Sequence, residues 1–534
     1  MPRRPASAIR WLFDSERGPT TRFLPRWLFL RALGIIYFSA FFSLIFQIRG
    51  EIGPDGILPA GEYLHMVARA YQGARFWYAP SLFWIASGPD MLMAVTWIGL
   101  IASILLFLNF WPRGMLVICF VCFLAFVSAS SDFSSYQSDG MLLEAGFISL
   151  FFAPPGFRPG LSRDHPPVRA AYFLLLWEWF RIYFESGAVK LLSHDPEWRS
   201  LTAMDEYYQN GPLPTWIGWY MQHLPHRFHV FTAGATLVLE LGLVWILFLP
   251  RRWRIVLFFI VTPWEIVVIL TANYCFLNYL VLSLGVLLLD DQFLINITSA
   301  QWKEKLRGVS PQTAPVLDGL EEPEGEPLHP FRALKLAIAS VLLSWIFYAA
   351  TIQLIWMFWP VHLPMSPVVA LEPFRIANRY GLFAVMTRGR YEIEFQGSND
   401  GENWTPYPFR FKPQAVNQPP GLYAPYQPRF DWNLWFASLT DWREAPIVPG
   451  TEERLLTGSK DVVALFAGNP FPSAPPKQIR AVLWQYWFTS MQEKRATGNW
   501  WTRKYLGLYA PTLQLDPSGK FIVVEWPTPL PPHE

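Results

Sequence analysis

Three ionisable side chains fall on one face of a strongly apolar stretch of this sequence. Within YFLLLWEWFRIYFESGAVKLL, Glu178, Arg181 and Glu185 follow i, i+3, i+7 spacing, which stacks them on one side of a helix. Lys190 follows near the end of the same stretch. Charged groups cost about 2.5–3.5 kcal/mol each in hydrocarbon, and they persist when they pair or line a cavity. Two interpretations stay open: a polar functional site inside a helical bundle, or a structural ion-pair ladder that fixes helix packing.

Other polar residues interrupt neighbouring apolar stretches and could meet this face. Each of them alone is typical of interhelical hydrogen bonding rather than of catalysis. They are Glu144, Glu240, Glu265, Asn273 and Asn278. Together they could face Arg181 and Lys190 across a bundle.

Metal and nucleotide chemistry receive little support from the sequence. The histidines of one connecting segment are His194, His223, His226 and His229. Zinc needs convergent ligands, and Pro225 interrupts the helix that would align the last three histidines. Cys119 and Cys122 form a C-x-x-C inside an apolar stretch, where two small apolar fillers are expected. P-loop, G-x-S-x-G, H-E-x-x-H and G-x-G-x-x-G motifs do not occur, so neither a metal nor a cofactor is predicted.

The composition is that of a membrane protein. Hydrophobic residues make up 52% of the 534 positions and charged residues only 16%, against roughly 25% in soluble domains. The net charge of +2 gives no strong field for nucleic acid, and nucleic acid is not expected as a partner. The many tryptophans beside apolar runs fit interfacial aromatic belts, and membrane lipids are the expected surroundings.

Nine apolar stretches approach the length of a membrane helix, although several are shorter than about 20 residues. The predicted spans are 27–47, 91–110, 114–130, 139–153, 170–190, 229–249, 253–271, 274–290 and 332–358. The sequence therefore predicts an α-helical polytopic bundle over residues 27–360, preceded by a basic arm at 1–26.

The placement of Lys and Arg predicts the orientation of this bundle. The arm and every even-numbered connection carry basic residues, which are enriched on the cytoplasmic side. The third connection, SASSDFSSYQSDG, and the seventh, TANYC, carry none. We therefore expect a cytoplasmic N-terminus, an outer loop at 191–228, a cytoplasmic loop at 291–331 and an extracytoplasmic C-terminus.

A composition change near residue 372 indicates a separate C-terminal domain. Residues 391–396 and 405–411 alternate with period two, and the turn residues Gly397, Asn399, Asp400 and Gly401 stand between them. Residues 520–526 fit a further strand. We predict an all-β, sandwich-like extracytoplasmic domain over 361–534, with helices near 430–440, 452–467 and 478–495.

The sequence resembles the lipase maturation factor family. The resemblance rests on RIYFESGAVKLLSHDPEWRSLTAMDEYYQNGPLPTWIGWYMQHLPHRFH, NYCFLNYLVLSLGVLLLDD, NRYGLFAVMTRGRYEIEFQGSNDGENW and RFDWNLWFASL, and it covers about residues 130 to 505. The resemblance implies a multi-pass membrane protein that assists the folding and assembly of secreted dimeric lipases. In animals, members of the family lie in the membrane of the endoplasmic reticulum. In a bacterium the location would be the inner membrane.

A fainter resemblance concerns ESGAVKLL and the tryptophan that follows it. This segment is similar to one in vitamin K-dependent carboxylase-like membrane proteins, through Gly187, Lys190 and Trp198. The resemblance implies that Lys190 acts as a base. The alternative function is therefore a membrane-embedded enzyme acting on a lipid or quinone-like substrate, with Lys190, Glu185, Arg181 and Glu178 as its candidate residues.

The leading hypothesis is a membrane-anchored maturation factor that is not an enzyme. Its expected partner is a secreted, lipase-like client protein. Trp216, Trp219 and Tyr220 in the outer loop could supply an apolar contact surface for that client. Trp432 and Trp435 are expected in the domain core.

Overall fold

A computed structural model describes residues 5–134, 136–298, 329–360 and 362–529. The part before residue 370 is helical, and the part after residue 389 is built around a β-sheet. The helices of the first part are α1 (Pro5–Phe13), α2 (Phe23–Ile45), α3 (Ile48–Ile52), α4 (Ala60–Tyr71), α5 (Arg75–Tyr78), α6 (Pro89–Phe107), α7 (Pro112–Val127), α8 (Gln137–Phe152), α9 (Arg169–Leu192), α10 (Pro196–Arg199), α11 (Ala203–Asn210), α12 (Trp216–Gln222), α13 (His226–Leu241), α14 (Arg251–Thr271), α15 (Leu277–Gly285), α16 (Asp291–Ile297), α17 (Pro330–Phe358) and α18 (Ser366–Val369).

Five segments of the described chain are long and apolar enough to cross a membrane. They are α2, α6, α13 with the 3-10 helix Leu243–Phe248, α14, and α17. A bent pair, α15 with its 3-10 extension and α16, turns by 99° and would make a sixth. Each of the nine predicted spans coincides with a helix, but α7 and α8 have only 16 residues each and α9 carries charges. The prediction of nine crossings is therefore not confirmed.

Helix α9 is the central helix of the bundle. It contacts α1, α8, α13, α15 and α17, and most of its side chains are buried by these neighbours. Ionisable groups on such a helix meet other protein groups instead of lipid. This environment explains how α9 keeps Glu178, Arg181, Glu185 and Lys190 within an apolar sequence.

The C-terminal domain contains one six-stranded antiparallel sheet in its described part. The order is β2-β1-β3-β5-β6, and β4 also pairs with β3. The strands are β1 (Arg390–Ser398), β2 (Thr405–Pro406), β3 (Gln478–Phe488), β4 (Trp501–Leu508), β5 (Thr512–Leu515) and β6 (Phe521–Glu525). The helices are α19 (Arg429–Ala437), α20 (Ile447–Leu456), α21 (Lys460–Val463) and α22 (Met491–Thr497).

Two predictions for this domain need correction. The prediction of a β-sandwich is wrong for the described residues, which form one sheet. Helices α19 and α20 pack against β1 and β3, where a second sheet was expected. The helix predicted near 478–495 is mostly strand β3, which pairs with β1, β4 and β5. Pairing with three partners favours the extended conformation for this β-branched and aromatic run. The helices predicted near 430–440 and 452–467 correspond to α19 and, in part, to α20 and α21.

Candidate functional site inside the helical bundle

Arg181 lies at the centre of a group of buried charges that we call the Arg181 cluster: Glu144, Glu178, Arg181 and Glu185. Its guanidinium group donates to Glu144 of α8 and lies 3.8 Å from Glu185, one turn further along α9. The side chains of these three residues are at most 1% exposed. Glu144 makes a closer contact with Arg181 than Glu185 does, because α8 packs against this face of α9.

The Arg181 cluster holds a short segment of chain that precedes the sheet, residues 378–382, which we call the strap. Arg181 donates to the Asn378 carbonyl at 2.6 Å, and the Asn378 N–H donates to Glu144 at 2.8 Å. The Tyr380 N–H donates to Glu185 at 2.6 Å, and its hydroxyl donates to Glu144 at 2.8 Å. Buried backbone groups need such partners, so these carboxylates serve as structural acceptors.

Lys190 belongs to a different environment from the Arg181 cluster. Its ammonium group donates to both carboxylate oxygens of Glu240 on α13, at 3.0 and 2.8 Å, and lies 5.1 Å from the centre of the Trp198 ring. Nearby, Glu265 accepts from the Tyr183 hydroxyl and, at 2.8 Å, from the Asn278 amide. Of the polar residues predicted to meet across the bundle, Glu144 therefore joins Arg181, whereas Glu240, Glu265 and Asn278 lie near Lys190. Asn273 joins neither group and contacts the C-terminal domain instead.

A cavity of about 130 Å³ adjoins the Lys190–Glu240 pair, and we call it the Lys190 cavity. Helices α9, α11, α12, α13, α14 and α15 contribute to its lining, together with Trp198 of α10. Most of this lining is apolar or aromatic. Arg181, Glu185 and Glu178 do not contribute to it. Of the four candidate residues for an enzyme, only Lys190 reaches this cavity.

A second set of buried contacts joins the C-terminal domain to the bundle. Arg429 of α19 forms two hydrogen bonds with Asp139 of α8, at 2.7 and 2.8 Å, and donates to the Phe133 carbonyl at 2.6 Å. The Asn273 side chain accepts from the Tyr423 N–H at 2.7 Å. Arg429 and Asp139 are fully buried. The C-terminal domain is thus fixed to the bundle by buried polar contacts as well as by the strap.

Glu51 of α3 lies beside this connection. Its side chain is fully buried, and neither carboxylate oxygen has a hydrogen-bond partner among the described residues. Burial raises the pKa of Glu51 to about 8, while Arg429 opposes this shift and Asp139 adds to it. A buried carboxyl of this kind is neutral below that pH.

The three aromatic residues proposed as a client surface differ in exposure. Trp219 is completely buried against His223 and Trp500, so it offers no surface to a client. Trp216 and Tyr220 are 45% and 44% exposed. Both lie on α12, so the exposed pair stands beside the C-terminal domain. Trp432 is buried, as expected, and Trp435 is half-buried.

The histidines of the outer loop each have a separate partner. His223 bonds to the carbonyls of Trp219 and Thr489, and His226 lies 2.9 Å from Asp205. His229 bonds to the Leu224 carbonyl, and His194 to Arg199. Within the described ranges, no three His, Cys, Asp or Glu side chains are grouped to hold a metal ion.

The residues that sequence reasoning missed come from distant parts of the chain. Asn378 and Tyr380 of the strap complete the Arg181 cluster, and Asp139 and Arg429 form the second connection. Asn378, Tyr380 and Arg429 occur within conspicuous strings of the sequence, NRYGLF and RFDWNLW. Nothing in those strings indicates which bundle residue each side chain contacts.

Apolar helices around a charged central helix, joined to a sheet domain by buried polar contacts, define a multi-pass membrane protein with a docked C-terminal domain. Residues 24–296 match the lipase maturation factor transmembrane domain, and residues 376–511 match the lipase maturation factor C-terminal domain. The chain belongs to the lipase maturation factor family.

Curated relatives match along nearly the whole chain. Lipase maturation factor 2 of Gallus gallus is 31% identical over 92% of this chain and 82% of its own length. Lipase maturation factor 2 of Homo sapiens is 31% identical over 93% of this chain and 83% of its own length. Lipase maturation factor 1 of Mus musculus is 29% identical over 96% of this chain and 91% of its own length. No solved structure matches this chain.

Proposed function

We propose that this protein is a membrane-anchored maturation factor that assists the folding of secreted clients, by resemblance dimeric lipases. The observation that carries the proposal is the match to lipase maturation factors over both the bundle and the C-terminal domain. The buried connections between the two parts support it further. A domain fixed at the membrane can hold a folding client in one position relative to the membrane surface.

The proposal requires the C-terminal domain to face the compartment in which clients fold. Nine crossings with a cytoplasmic N-terminus satisfy this requirement, with an arm at 1–26, a bundle at 27–360 and an extracytoplasmic domain at 361–534. The alternation of basic connections supports this topology. The membrane would be that of the endoplasmic reticulum in a eukaryotic cell and the inner membrane in a bacterium.

We place the client contact at Trp216 and Tyr220. Half-exposed aromatic side chains are the type of residue that dominates binding energy in protein interfaces. Both side chains lie on α12, and Trp219 of the same helix packs against Trp500 of the C-terminal domain. A client bound here would contact the outer loop and the C-terminal domain together.

Co-expression with a secreted dimeric lipase tests the proposal. In cells without another maturation factor, the chain should raise the activity of secreted lipase per amount of lipase protein. Trp216→Ser with Tyr220→Ser should reduce this gain roughly ten-fold, since a lost interface anchor costs about 1–2 kcal/mol. Trp526→Ser, at a 62% exposed tryptophan of the C-terminal domain, is the matched control and should keep the gain. No gain with the wild-type chain would contradict the proposal.

A second candidate function is a membrane-embedded enzyme acting on a lipid or quinone-like molecule at Lys190. The observation that favours it is the position of Lys190 at the wall of the Lys190 cavity. Against it, the ammonium group is already paired with Glu240 and donates toward the Ser186 carbonyl. Mass spectrometry of lipids incubated with the purified protein separates the two functions. An enzyme would change the mass of a membrane lipid, and Lys190→Met would abolish this change. A maturation factor would leave the mass of every added lipid unchanged.

A further inference from the structure

The Lys190 cavity opens between two helices that scarcely touch each other. Helices α13 and α14 each pack against the 3-10 helix that connects them, yet hardly against one another. Both line the cavity. Val267 of α14 lines it and is also 47% exposed, so it marks the mouth. The adjacent Ile266 of α14 is also an exposed apolar side chain, so this mouth faces the lipid.

The polar chemistry of the cavity is that of a hydrogen-bond acceptor. The three donors of Lys190 are directed at Glu240 and the Ser186 carbonyl, and its side chain is only 2% exposed. The Glu240 side chain is 13% exposed, and its carboxylate can accept more bonds than the two that Lys190 supplies. Glu265 accepts from Tyr183 and Asn278 and is less accessible, at 5% exposed. Glu240 is therefore the group that a ligand would meet.

This arrangement selects a ligand by charge. The Lys190–Glu240 pair is neutral as a whole, and charges in this apolar site interact strongly. An anionic headgroup would be repelled by the Glu240 carboxylate, and Glu265, which lines the same cavity without a cationic partner among the described residues, can only add to this repulsion. An uncharged hydroxyl group can donate to Glu240 without this cost.

The volume of the cavity limits how much of a ligand it encloses. Pockets that enclose a whole drug-sized ligand measure roughly 300–1,000 Å³, whereas this cavity measures about 130 Å³. It therefore accommodates a small polar head and the first part of a chain. The remainder of an amphipathic molecule would lie in the gap between α13 and α14, in contact with the membrane.

We infer that the Lys190 cavity is a binding site for an uncharged membrane lipid with a free hydroxyl group, such as a diacylglycerol. The hydroxyl group donates to Glu240, and the acyl chains leave between α13 and α14. This site goes beyond the maturation role, and either can hold without the other.

Photolabelling of the full-length protein in nanodiscs tests the inference. The two probes are a diazirine diacylglycerol and the phosphatidic acid with the same chains, so they differ only in the phosphate. The diacylglycerol should label peptides of α13 and α14 roughly ten-fold more than the phosphatidic acid, the ratio that about 1.4 kcal/mol gives. Equal labelling by the two probes, or no labelling of these helices, would overturn the inference.

Matched variants locate the label. Thr236 is buried and lines the cavity, so Thr236→Phe should reduce the labelling roughly ten-fold by filling the space. Val238→Phe, on the lipid-facing side of the same helix, should leave it unchanged. If Thr236→Phe does not fold, Thr232→Leu in the same lining replaces it. Undiminished labelling in a folded cavity variant would overturn the inference.

The paired charges are tested by replacing both of them. Lys190→Met with Glu240→Leu keeps the volume and removes the acceptor, and buried ion pairs often tolerate such apolar replacement. We expect the preference for diacylglycerol over phosphatidic acid to disappear in this double variant. A preference that survives the loss of Glu240 would show that another group recognises the hydroxyl, and would overturn the assignment.

Discussion

At the scale of single residues, the members of the Arg181 cluster are not equivalent. Glu144 contacts the Arg181 guanidinium, the Asn378 N–H and the Tyr380 hydroxyl, whereas Glu185 accepts from the Tyr380 N–H and lies 3.8 Å from Arg181. Arginine stays protonated at any relevant pH, so it depends on its carboxylate partners for neutralisation. The loss of Glu144 should therefore matter more than the loss of Glu185.

We expect Glu144→Gln to lower the free energy of unfolding by about 3 kcal/mol, because it leaves a buried cation without its closest counter-charge. Glu185→Gln should cost about 1.5 kcal/mol, the lower end of the range for a hydrogen bond to a charged group, because the amide oxygen of Gln can still accept from the Tyr380 N–H. Unfolding of the purified variants in one detergent measures both values. Adding Arg181→Met to Glu144→Gln should recover part of the loss. A larger cost for Glu185→Gln than for Glu144→Gln would show that the Arg181–Glu185 pair within α9 contributes more to stability than the contact with Glu144.

The contacts within α9 could be predicted from the sequence only in part. The spacing of Glu178, Arg181 and Glu185 indicated a shared helix face, and all three side chains do meet at the Arg181 cluster. The strap was not predictable, because no local pattern records which distant backbone packs against a helix. Lys190 comes five residues after Glu185 on the helix, and this offset turns it toward α13 and Glu240.

At the scale of elements, local patterns predicted the apolar helices well and the C-terminal strands less well. Strand β1 and strand β6 were expected, since alternation and turn residues mark them. The strand expected over 405–411 is reduced to β2, because Pro406 and Pro408 lack the N–H groups that a ladder needs. Strand β3 was missed because its partners, not its local periodicity, determine its conformation.

The buried Glu51 of the short helix α3 should make the stability of the protein depend on pH. The pKa of Glu51 is about 8 in the folded protein and about 4.5 in the unfolded chain, so between these values the folded state binds more protons. The free energy of unfolding should therefore fall as the pH rises from about 4.5 to 8. The loss of stability comes from the free energy needed to ionise the buried Glu51 carboxyl. This loss is absent below the window and complete above it.

Glu51→Gln should remove this penalty, because a neutral amide replaces the carboxyl. We expect the variant to be more stable than the wild type at pH 8.5 by about 2–4 kcal/mol, and nearly equal to it at pH 5. Thermal unfolding at the two pH values measures the difference. Parallel pH profiles for the two proteins would mean that Glu51 does not stay buried as a neutral group.

At the scale of the whole molecule, the protein combines a helical bundle with a C-terminal domain that is fixed to it. The strap and the Arg429–Asp139 pair make this connection at separate places, so the domain is held against rotation as well as separation. Residues 361–374, VHLPMSPVVALEPF, are rich in Pro and apolar residues and contain no Gly, so their composition is not that of a flexible linker. Assistance to a secreted client then depends on which side of the membrane carries this domain.

Accessibility of engineered cysteines tests this central claim most directly, since the three native cysteines are all buried. Ser518→Cys places an exposed thiol in the C-terminal domain, and Asp164→Cys places one in the connection between α8 and α9. In the inner membrane of intact bacteria, a membrane-impermeant maleimide should label Ser518→Cys, and it should label Asp164→Cys only after the cells are lysed. The reverse pattern would place the C-terminal domain in the cytoplasm, where a secreted client never folds, and would contradict the account.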